Sequence, residues 1–144
     1  IGIYIIGGKP TKHYLDLKDK YQMDNLHFIG FQNKENIMNW YRLADLFVFP
    51  TREDIWGLVI NEAMSQGLPV ITTDKCISGL ELINNGENGF IVKCEDQEDL
   101  IDKTNQYFSL DINEKRIIQN KILNTIKKYS IENMAKEHIK ILGR

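Results

Sequence analysis

The chain has few of the residues that mark several specialised classes of protein. Its 144 residues include two cysteines, three histidines and three prolines. Cys76 and Cys94 do not form a Cys-x-x-Cys motif, so no disulfide framework is indicated and we expect a reducing, cytoplasmic location. The histidines show no metal-ligand spacing. No run approaches the ~18 apolar residues of a membrane-spanning helix, and the net charge of −2 gives no electrostatic signature of nucleic-acid binding.

Short apolar runs alternate with amphipathic stretches along the chain. Amphipathic patterns predict helices at about residues 11–21, 34–44, 57–66, 78–84, 96–108, 113–129 and 130–142. Strict alternation of strand and helix predicts an α/β fold with a parallel, right-handed sheet. The predicted strands are near-continuous, rich in β-branched or aromatic residues and therefore expected to be buried on both faces: Ile1–Ile6, Leu26–Ile29, Leu46–Phe49, Val70–Thr72 and Phe90–Val92.

Local signals place some helix ends. Ser78-x-x-Glu81 has the capping-box pattern, so we expect Ser78 to cap a helix and Glu81 to complete the box. Asp96 is predicted to cap the next helix. The length predicts one domain.

One late helix, within KRIIQNKILNTIKKY, is both basic and amphipathic. Ile118, Ile122 and Ile126 fall on one face, and the lysines lie elsewhere. A helix of this kind can lie on a membrane surface. Packing of the isoleucines against the domain is the commoner arrangement, and we expect it here.

The segment from Pro50 to Asp74, PTREDIWGLVINEAMSQGLPVITTD, is the most informative part of the chain. It carries two acids eight positions apart, Asp54 and Glu62, with Gly57 and a predicted helix start between them. The N-terminus of a helix offers free N–H groups and a positive dipole end to phosphate. Carboxylates accept hydrogen bonds from hydroxyl groups. The segment therefore predicts a site for a nucleotide sugar.

Six segments, in this order, carry a resemblance to a known family: IIGGKP, NLHFIGF, WYRLADLFVFPT, DIWGLVINEAMSQGLPVITTD, NGENGFIV and YSIENMA. The chain resembles the C-terminal, nucleotide-sugar-binding half of GT-B-fold retaining glycosyltransferases of the Glu-x7-Glu superfamily (glycosyl transferases group 1, family 4). The resemblance implies a Rossmann-like parallel sheet with flanking helices. It also implies a transferase that acts in the synthesis of bacterial polysaccharide, such as capsule or lipopolysaccharide.

The resemblance assigns roles to the two acids. Glu62 matches the family's second motif acid, which accepts hydrogen bonds from the ribose diol. Asp54 matches the first, which contacts hydroxyls of the donor sugar, although the family usually has Glu there. Aspartate is shorter by one methylene, roughly 1.5 Å of reach. Glu53 is the alternative first acid, and it would require a shift of the loop.

The residues around the helix start are also implied to bind the donor. Trp56, Gly57, Leu58 and Val59 match the family's aromatic-Gly-Leu-Val, whose backbone N–H groups meet the sugar and the diphosphate. Glycine permits close backbone approach because it has no Cβ. For the Trp56 side chain, packing in the core is an equally good interpretation.

Two residues near the beginning of the chain complete the implied site. Gly8 lies where the first strand ends and a helix follows, which is the usual ligand edge of an open parallel sheet. Gln32 follows FIGF, in the stretch whose backbone touches the base in relatives. An exposed loop amide is a nearly equal alternative for Gln32.

The implied function is metal-independent, retaining transfer of a hexose from a UDP- or GDP-linked sugar to a glycan or glycolipid, without a further cofactor. In this family the departing diphosphate oxygen accepts the acceptor's proton, and the protein stabilises the developing charge. Relatives use an Arg and a Lys that precede the segment matching Ile1, and an N-terminal acceptor domain of the same parent chain. We therefore expect the fragment alone to be inactive, and the family allows peripheral membrane association of the parent.

The same resemblance makes residues 1–144 a partial donor-binding domain that lacks its first strand and helix. In a doubly wound sheet that strand is central, so two strand edges would face each other with unpaired backbone groups. We expect Ile1–Ile6 to close directly against Leu46–Phe49, with self-association as the second expectation.

Two other functions remain as alternatives. A sugar-nucleotide epimerase half-domain shares the GT-B architecture, but its Rossmann half does not normally carry the acid-x-aromatic-Gly-Leu-Val pattern. A flavodoxin-like, non-catalytic binding module would be complete within ~120–130 residues and would not need two trailing helices.

Overall fold

The structure is a computed structural model that describes residues 1–143, and these form five strands, seven α-helices and one short 3₁₀ helix. Strand and helix alternate as predicted through β5, after which only helices follow. The elements are β1 Ile3–Ile6, α1 Lys12–Lys20, β2 Leu26–Ile29, α2 Lys34–Leu43, β3 Phe47–Phe49, α3 Leu58–Ser65, β4 Val70–Thr73, α4 Ile77–Leu82, β5 Gly89–Val92, α5 Gln97–Ser109, α6 Ile112–Ile126, the 3₁₀ turn Lys127–Tyr129 and α7 Ile131–Leu142.

The chain divides into two compact units. The small unit comprises residues 1–39, and the large unit comprises the described residues from 40 onward. In the small unit β1 pairs in parallel with β2, from Ile3 opposite Leu26 to Ile6 opposite Ile29. The ends of both strands therefore lie at the same edge of this two-stranded sheet.

The large unit contains a three-stranded parallel sheet with β4 in the middle. All four residues of β4 are buried. Thr72 and Thr73 remain hydrogen-bonded in this apolar setting, because their hydroxyls donate to the carbonyls of Phe49 (2.9 Å) and Thr51 (2.6 Å). The core beside this sheet is formed by buried residues and their partly buried neighbours: Ile71, Phe90, Val92, Tyr107, Leu46, Leu100, Phe108 and Leu110.

The predicted closure of the first strand on the third is wrong. β1 pairs only with β2, and β3 pairs only with β4, so the described strands make two sheets. Each strand has its hydrogen-bonded neighbour inside its own unit, along four residues for β1 and β2 and along three for β3 and β4.

The predicted burial of every strand is also wrong for β1. Ile3, Tyr4 and Ile5 of β1 are exposed, whereas β4 has the predicted burial on both faces. The apolar run predicts the strand correctly, but burial also requires other elements to cover it.

Side chains cap some of the helix N-termini, and one predicted cap is wrong. The Asp96 side chain accepts a hydrogen bond from Asp99 N, as predicted. Asp111 and Glu114 form a full capping box that the sequence reading missed. The predicted Ser78–Glu81 box is wrong: α4 begins at Ile77, one residue earlier, so Ser78 lies inside the helix and its hydroxyl is used elsewhere.

The basic amphipathic helix packs on the large unit as expected. Ile118 and Ile122 of α6 are buried, and Ile126 is partly buried. At the end of α3, Gly67 adopts a φ of +74°, which glycine tolerates without penalty. Its amide donates to Met64 O (2.9 Å) and ends the helix before β4.

Candidate functional site

The loop between β3 and α3 is fixed by backbone hydrogen bonds to the segment that follows β4. Asp54 N donates to Lys75 O (3.1 Å), and Asp54 O accepts from Ile77 N (3.1 Å). Within the loop, the Thr51 hydroxyl donates to Glu53 O (2.9 Å). These bonds hold the backbone of Asp54 in place, while the side chain of Glu53 is exposed.

The Asp54 side chain lies beside Gly57, the residue that precedes α3. A Cβ atom added to Gly57 would stand 3.4 Å from the Asp54 carboxyl carbon. The same atom would stand 3.3 Å from the Phe49 ring and 3.4 Å from the Ser78 hydroxyl oxygen. Gly57 therefore keeps a narrow space open between three side chains, with a carboxylate on one side.

The N-terminus of α3 carries no side-chain cap. Gly57 is the N-cap residue, and its carbonyl accepts from Ile60 N (2.9 Å) and from Ser78 Oγ (3.2 Å). Because glycine has no side chain that could accept from the helix, the N–H groups before Ile60 are left for other partners. Val59 is partly buried, and Leu58 is exposed. The Trp56 side chain is 42% exposed, so its interpretation as a core residue is wrong.

Glu62 lies on α3 beyond the first turn and is partly buried. Burial of the Tyr41 phenol, on α2, raises its pKa to about 12, and the negative charge of Glu62 adds to that effect. No local pattern connects the two residues, because Tyr41 is 21 positions before Glu62.

Glu81, the predicted second half of a capping box, has a different partner. Its carboxylate accepts a hydrogen bond from the Tyr129 hydroxyl (2.9 Å). This hydrogen bond, together with burial and the Glu81 charge, raises the pKa of Tyr129. Glu81 therefore ties α4 to the 3₁₀ turn that follows α6.

A shallow cleft of about 460 Å³ lies next to Asp54. Its lining combines carboxylates, two cationic side chains and apolar side chains: Arg52, Glu53, Asp54, Ile55, Asp74, Lys75, Ile77 and Leu80. Arg52 pairs with Glu95 at 2.8 Å, on the exposed surface.

Gly8 and Gln32 belong to the small unit. Gly8 follows β1, and nothing lies within 4 Å of where its Cβ would be. Gln32 follows β2, and its side-chain amide donates to Phe31 O (3.0 Å) and Gly30 O (3.2 Å). The structure thus places both residues after neighbouring parallel strands, at one edge of that sheet.

Residues 1–143 contain no group of three or more His, Cys, Asp or Glu side chains arranged to hold a metal ion. None of the helices in the same range has the length and apolar character needed to cross a membrane.

Comparison with known proteins identifies the family to which the chain is related. Residues 1–123 match the family model described as glycosyl transferases group 1. The chain is 31% identical over 142 residues to the lipopolysaccharide core biosynthesis mannosyltransferase LpsB of Rhizobium meliloti (strain 1021), covering 92% of this chain and 40% of that protein. It is 26% identical to the capsular polysaccharide biosynthesis glycosyltransferase CapM of Staphylococcus aureus, covering 97% of this chain and 39% of that protein.

Solved structures share the fold. The structure of Anabaena Alr3699/HepE in complex with UDP superimposes with a TM-score of 0.79 at 20% identity, covering 99% of this chain and 41% of that chain. The chain thus spans about two fifths of the length of these relatives.

The matches favour neither an epimerase half-domain nor a flavodoxin-like module. The family model covers most of the chain, and it includes the motif from Pro50 to Asp74. The predicted α/β fold, a parallel sheet with flanking helices, agrees with that of GT-B glycosyltransferases. The chain belongs to the glycosyl transferases group 1 family.

Proposed function

We propose that this chain is the donor-binding part of a retaining, metal-independent glycosyltransferase. It would bind a UDP- or GDP-linked sugar for transfer to a glycan or glycolipid in the synthesis of bacterial cell-surface polysaccharide, in the cytoplasm. The relatives named for lipopolysaccharide core and capsule synthesis support the acceptor class. The neighbour in complex with UDP supports the donor class.

The observation that carries the proposal is the arrangement of two carboxylates about one helix. Asp54 lies beside the uncapped N-terminus of α3, and Glu62 lies farther along the same helix. An uncapped helix N-terminus attracts phosphate through its free N–H groups and its dipole. We assign the diphosphate to the N–H groups at Gly57, Leu58 and Val59.

The two acids would then bind different hydroxyl groups of the donor. Glu62 accepts hydrogen bonds from the ribose diol, and Asp54 accepts them from hydroxyls of the sugar. The fixed backbone of Asp54, and its closeness to Gly57, favour Asp54 over the exposed Glu53 as the sugar ligand. Trp56, whose ring is partly exposed, is assigned to the rim of the same site.

Calorimetric titration with UDP, GDP and their hexose conjugates tests the assignment. Glu62→Gln removes a charge-assisted acceptor and is expected to weaken free-nucleotide binding roughly 10- to 150-fold, about 1.5–3 kcal/mol. The fold should survive, because Glu and Gln have similar helix propensities. Unchanged affinity for both nucleotides would refute the role of Glu62.

Asp54→Asn tests the second acid, and Glu53→Gln is its matched neighbour control. We expect Asp54→Asn to weaken binding of the nucleotide sugar while leaving the free nucleotide unchanged. Glu53→Gln should alter neither. Loss of sugar-dependent affinity in the Glu53 variant alone would show that the first acid is Glu53.

Turnover is expected only in a longer parent chain that contains an acceptor-binding part. Incubation of this chain with labelled UDP- or GDP-sugar and glycolipid acceptors should give no transfer. Transfer by residues 1–144 alone would contradict this part of the proposal.

A further inference from the structure

The carbonyl group of Gly57, directly before α3, is held by two hydrogen bonds. Ile60 N donates to it from the first turn of α3 (2.9 Å), and Ser78 Oγ donates to it from α4 (3.2 Å). A carbonyl oxygen has two lone pairs, so both of its acceptor positions are occupied. The direction of this carbonyl is therefore fixed from two sides, one of them 21 positions along the chain.

Ser78 is fully buried, and its hydroxyl hydrogen is committed to this bond. A serine inside a helix commonly bonds to a carbonyl of its own preceding turn, but Ser78 lies in α4 and bonds to Gly57 O instead. Cys76 Sγ lies 3.4 Å from Ser78 Oγ. Because a serine has one hydroxyl hydrogen and Ser78 gives it to Gly57, the Cys76 thiol is the donor in this second contact.

The carbonyl of Gly57 and the N–H of Leu58 belong to the same peptide group. That group is planar and trans, so its C=O and its N–H point in opposite directions. A carbonyl directed at Ser78 therefore directs the Leu58 N–H away from Ser78. Leu58 is the first residue of α3, and its N–H is one of those that we assign to the diphosphate. Ser78 thus fixes the direction of one donor of the proposed site.

The beginning of the same loop is held independently of the Ser78 side chain. Asp54 N donates to Lys75 O, and Ile77 N donates to Asp54 O, at 3.1 Å each. These bonds join backbone atoms, so they remain when the Ser78 side chain is changed. Loss of the Ser78 hydroxyl should therefore release the peptide between Gly57 and Leu58 without releasing Asp54.

We propose that Ser78 is a positioning residue, which orients the peptide between Gly57 and Leu58 so that the Leu58 N–H faces the diphosphate of the donor. The inference rests on the proposed function, because it gives Ser78 a role through the N-terminus of α3. An N–H group that already has the required direction needs no reorientation when the ligand binds, and such preorganisation increases affinity. Ser78 is buried, so it acts through this peptide alone.

The test is Ser78→Ala, which removes only the hydroxyl. Calorimetric titration with UDP and GDP should show affinity reduced about 3- to 10-fold, the effect of one lost hydrogen bond. Ser78→Cys replaces the hydroxyl by a thiol, which is a weak donor, so its loss of affinity should be smaller. Thermal unfolding shows whether each variant folds, and Ser78→Cys carries the test if Ser78→Ala does not fold. Unchanged affinity in the folded variants would overturn the inference.

The matched control is Tyr107→Phe, which removes another buried hydroxyl that donates to a distant backbone carbonyl, Asp45 O at 2.8 Å. Asp45 precedes β3, whereas the loop with Asp54 follows β3, so the control acts at the opposite end of that strand. It should leave nucleotide affinity unchanged. A loss equal to that of Ser78→Ala would show that any lost buried hydroxyl bond weakens binding, and the specific role of Ser78 would fall.

A comparison of two ligands separates positioning of the peptide from a general loosening of the loop. Ser78→Ala should weaken binding of the nucleoside diphosphate and of its hexose conjugate by the same factor, because the diphosphate is common to both. A larger loss for the hexose conjugate would show that Ser78 acts through Asp54, and would overturn the proposed role.

Amide proton–nitrogen correlation spectra test the Leu58 N–H directly. Saturation with the nucleotide that binds, UDP or GDP, should shift the Leu58 amide proton downfield as its hydrogen bond to phosphate forms. That shift should be smaller in Ser78→Ala, while the amide of Ile77, which is bonded to Asp54 O, responds alike in both chains. An equal Leu58 shift in both chains would refute the role of Ser78.

The results also distinguish failure of this inference from failure of the proposed function. If Glu62→Gln weakens nucleotide binding and Ser78→Ala does not, the role of Ser78 is refuted while the donor site stands. If the unsubstituted chain binds neither UDP nor GDP, the proposed function fails and the role of Ser78 fails with it.

Discussion

β4 of the large unit and β1 of the small unit are short parallel strands of the same length, and both are rich in isoleucine or valine. All four residues of β4 are buried, whereas three of the four residues of β1 are exposed. β4 pairs with β3 on one edge and β5 on the other, and a packed core with Ile71 lies beside it. β1 pairs with β2 alone.

The difference shows that an apolar run determines the tendency to form a strand, while neighbouring elements determine its burial. The hydrophobic contribution follows the area removed from water, about 25 cal/mol per Å². Equivalent residues in the two units should therefore differ widely in their effect on stability. Matched substitutions, one in each unit, measure that difference directly.

The largest difference is expected for a buried and an exposed isoleucine. Ile71→Ala in β4 empties a fully buried position and should reduce the free energy of unfolding by about 2–5 kcal/mol. Ile5→Ala in β1 removes a side chain that is 45% exposed and should cost about 1 kcal/mol or less. Urea unfolding followed by circular dichroism measures both. Equal losses would mean that β1 is as well covered as β4.

A second pair compares two glycines. A Cβ on Gly89 would stand 2.7 Å from Val70 O, a backbone atom of the paired strand, so Gly89→Ala should cost about 1–3 kcal/mol. Gly8→Ala meets nothing within 4 Å and should change stability by less than about 0.5 kcal/mol. Thermal unfolding of the two variants gives the comparison. A tolerated Gly89→Ala would show that β4 and β5 can separate without loss.

Two asparagines make a third pair. Asn88 is buried, and its amide donates to Leu82 O (3.0 Å) and Thr125 Oγ1 (3.1 Å), so Asn88→Ala should cost about 1–3 kcal/mol. Asn25 makes an exposed bond to Ile1 O (2.8 Å), and Asn25→Ala should change stability by less than about 0.5 kcal/mol. Hydrogen exchange should show faster exchange around residues 82–88 in the Asn88 variant only. Faster exchange throughout the chain would mean that the two units unfold together.

The last expected effect is a loss of stability at alkaline pH in the large unit. The pKa of Tyr41 is raised to about 12, and burial, with a smaller contribution from Asp45, also raises the pKa of Tyr107. Above a pH of about 10 the tyrosines of the unfolded chain lose their protons, whereas the folded chain keeps these two phenols neutral. The stability that their raised pKa provides is therefore complete below a pH of about 10, and it is lost as the pH rises from about 10 towards 12.

Trp40 and Trp56, the two tryptophans, both belong to the large unit, so their fluorescence reports its unfolding. Urea midpoints at pH 9, 10.5 and 11.5 should fall with pH, and less steeply in Tyr41→Phe. A slope unchanged by Tyr41→Phe would show that this phenol does not contribute.

Much of the fold follows from local pattern. Asp96 at a helix start and the apolar face of Ile118 and Ile122 were predicted from the sequence, and the structure confirms them. Ser78 was misread because Ser-x-x-Glu has the same spacing inside a helix as at its start. The Ser78 hydroxyl donates to Gly57 O, which is 21 positions away and therefore outside any local pattern.

The candidate site likewise combines residues that the sequence identifies with supporting contacts that only the structure shows. Asp54, Gly57 and Glu62 are recognisable because they lie within nine residues of one another, and one loop and one helix carry them all. Their supports come from other parts of the chain. Lys75 and Ile77 hold the backbone of Asp54, and the Ser78 hydroxyl donates to the carbonyl of Gly57. No spacing rule connects such pairs.

The sequence by itself determined the order of strands and helices, most helix ends and the segment that carries the motif, because each depends on residues within a few turns of one another. The tertiary structure decided which strands are buried, which strands pair, and what Ser78 and Glu81 bond to. Those outcomes depend on contacts between distant segments. Such contacts form only when packing brings the segments together, and no local periodicity encodes them.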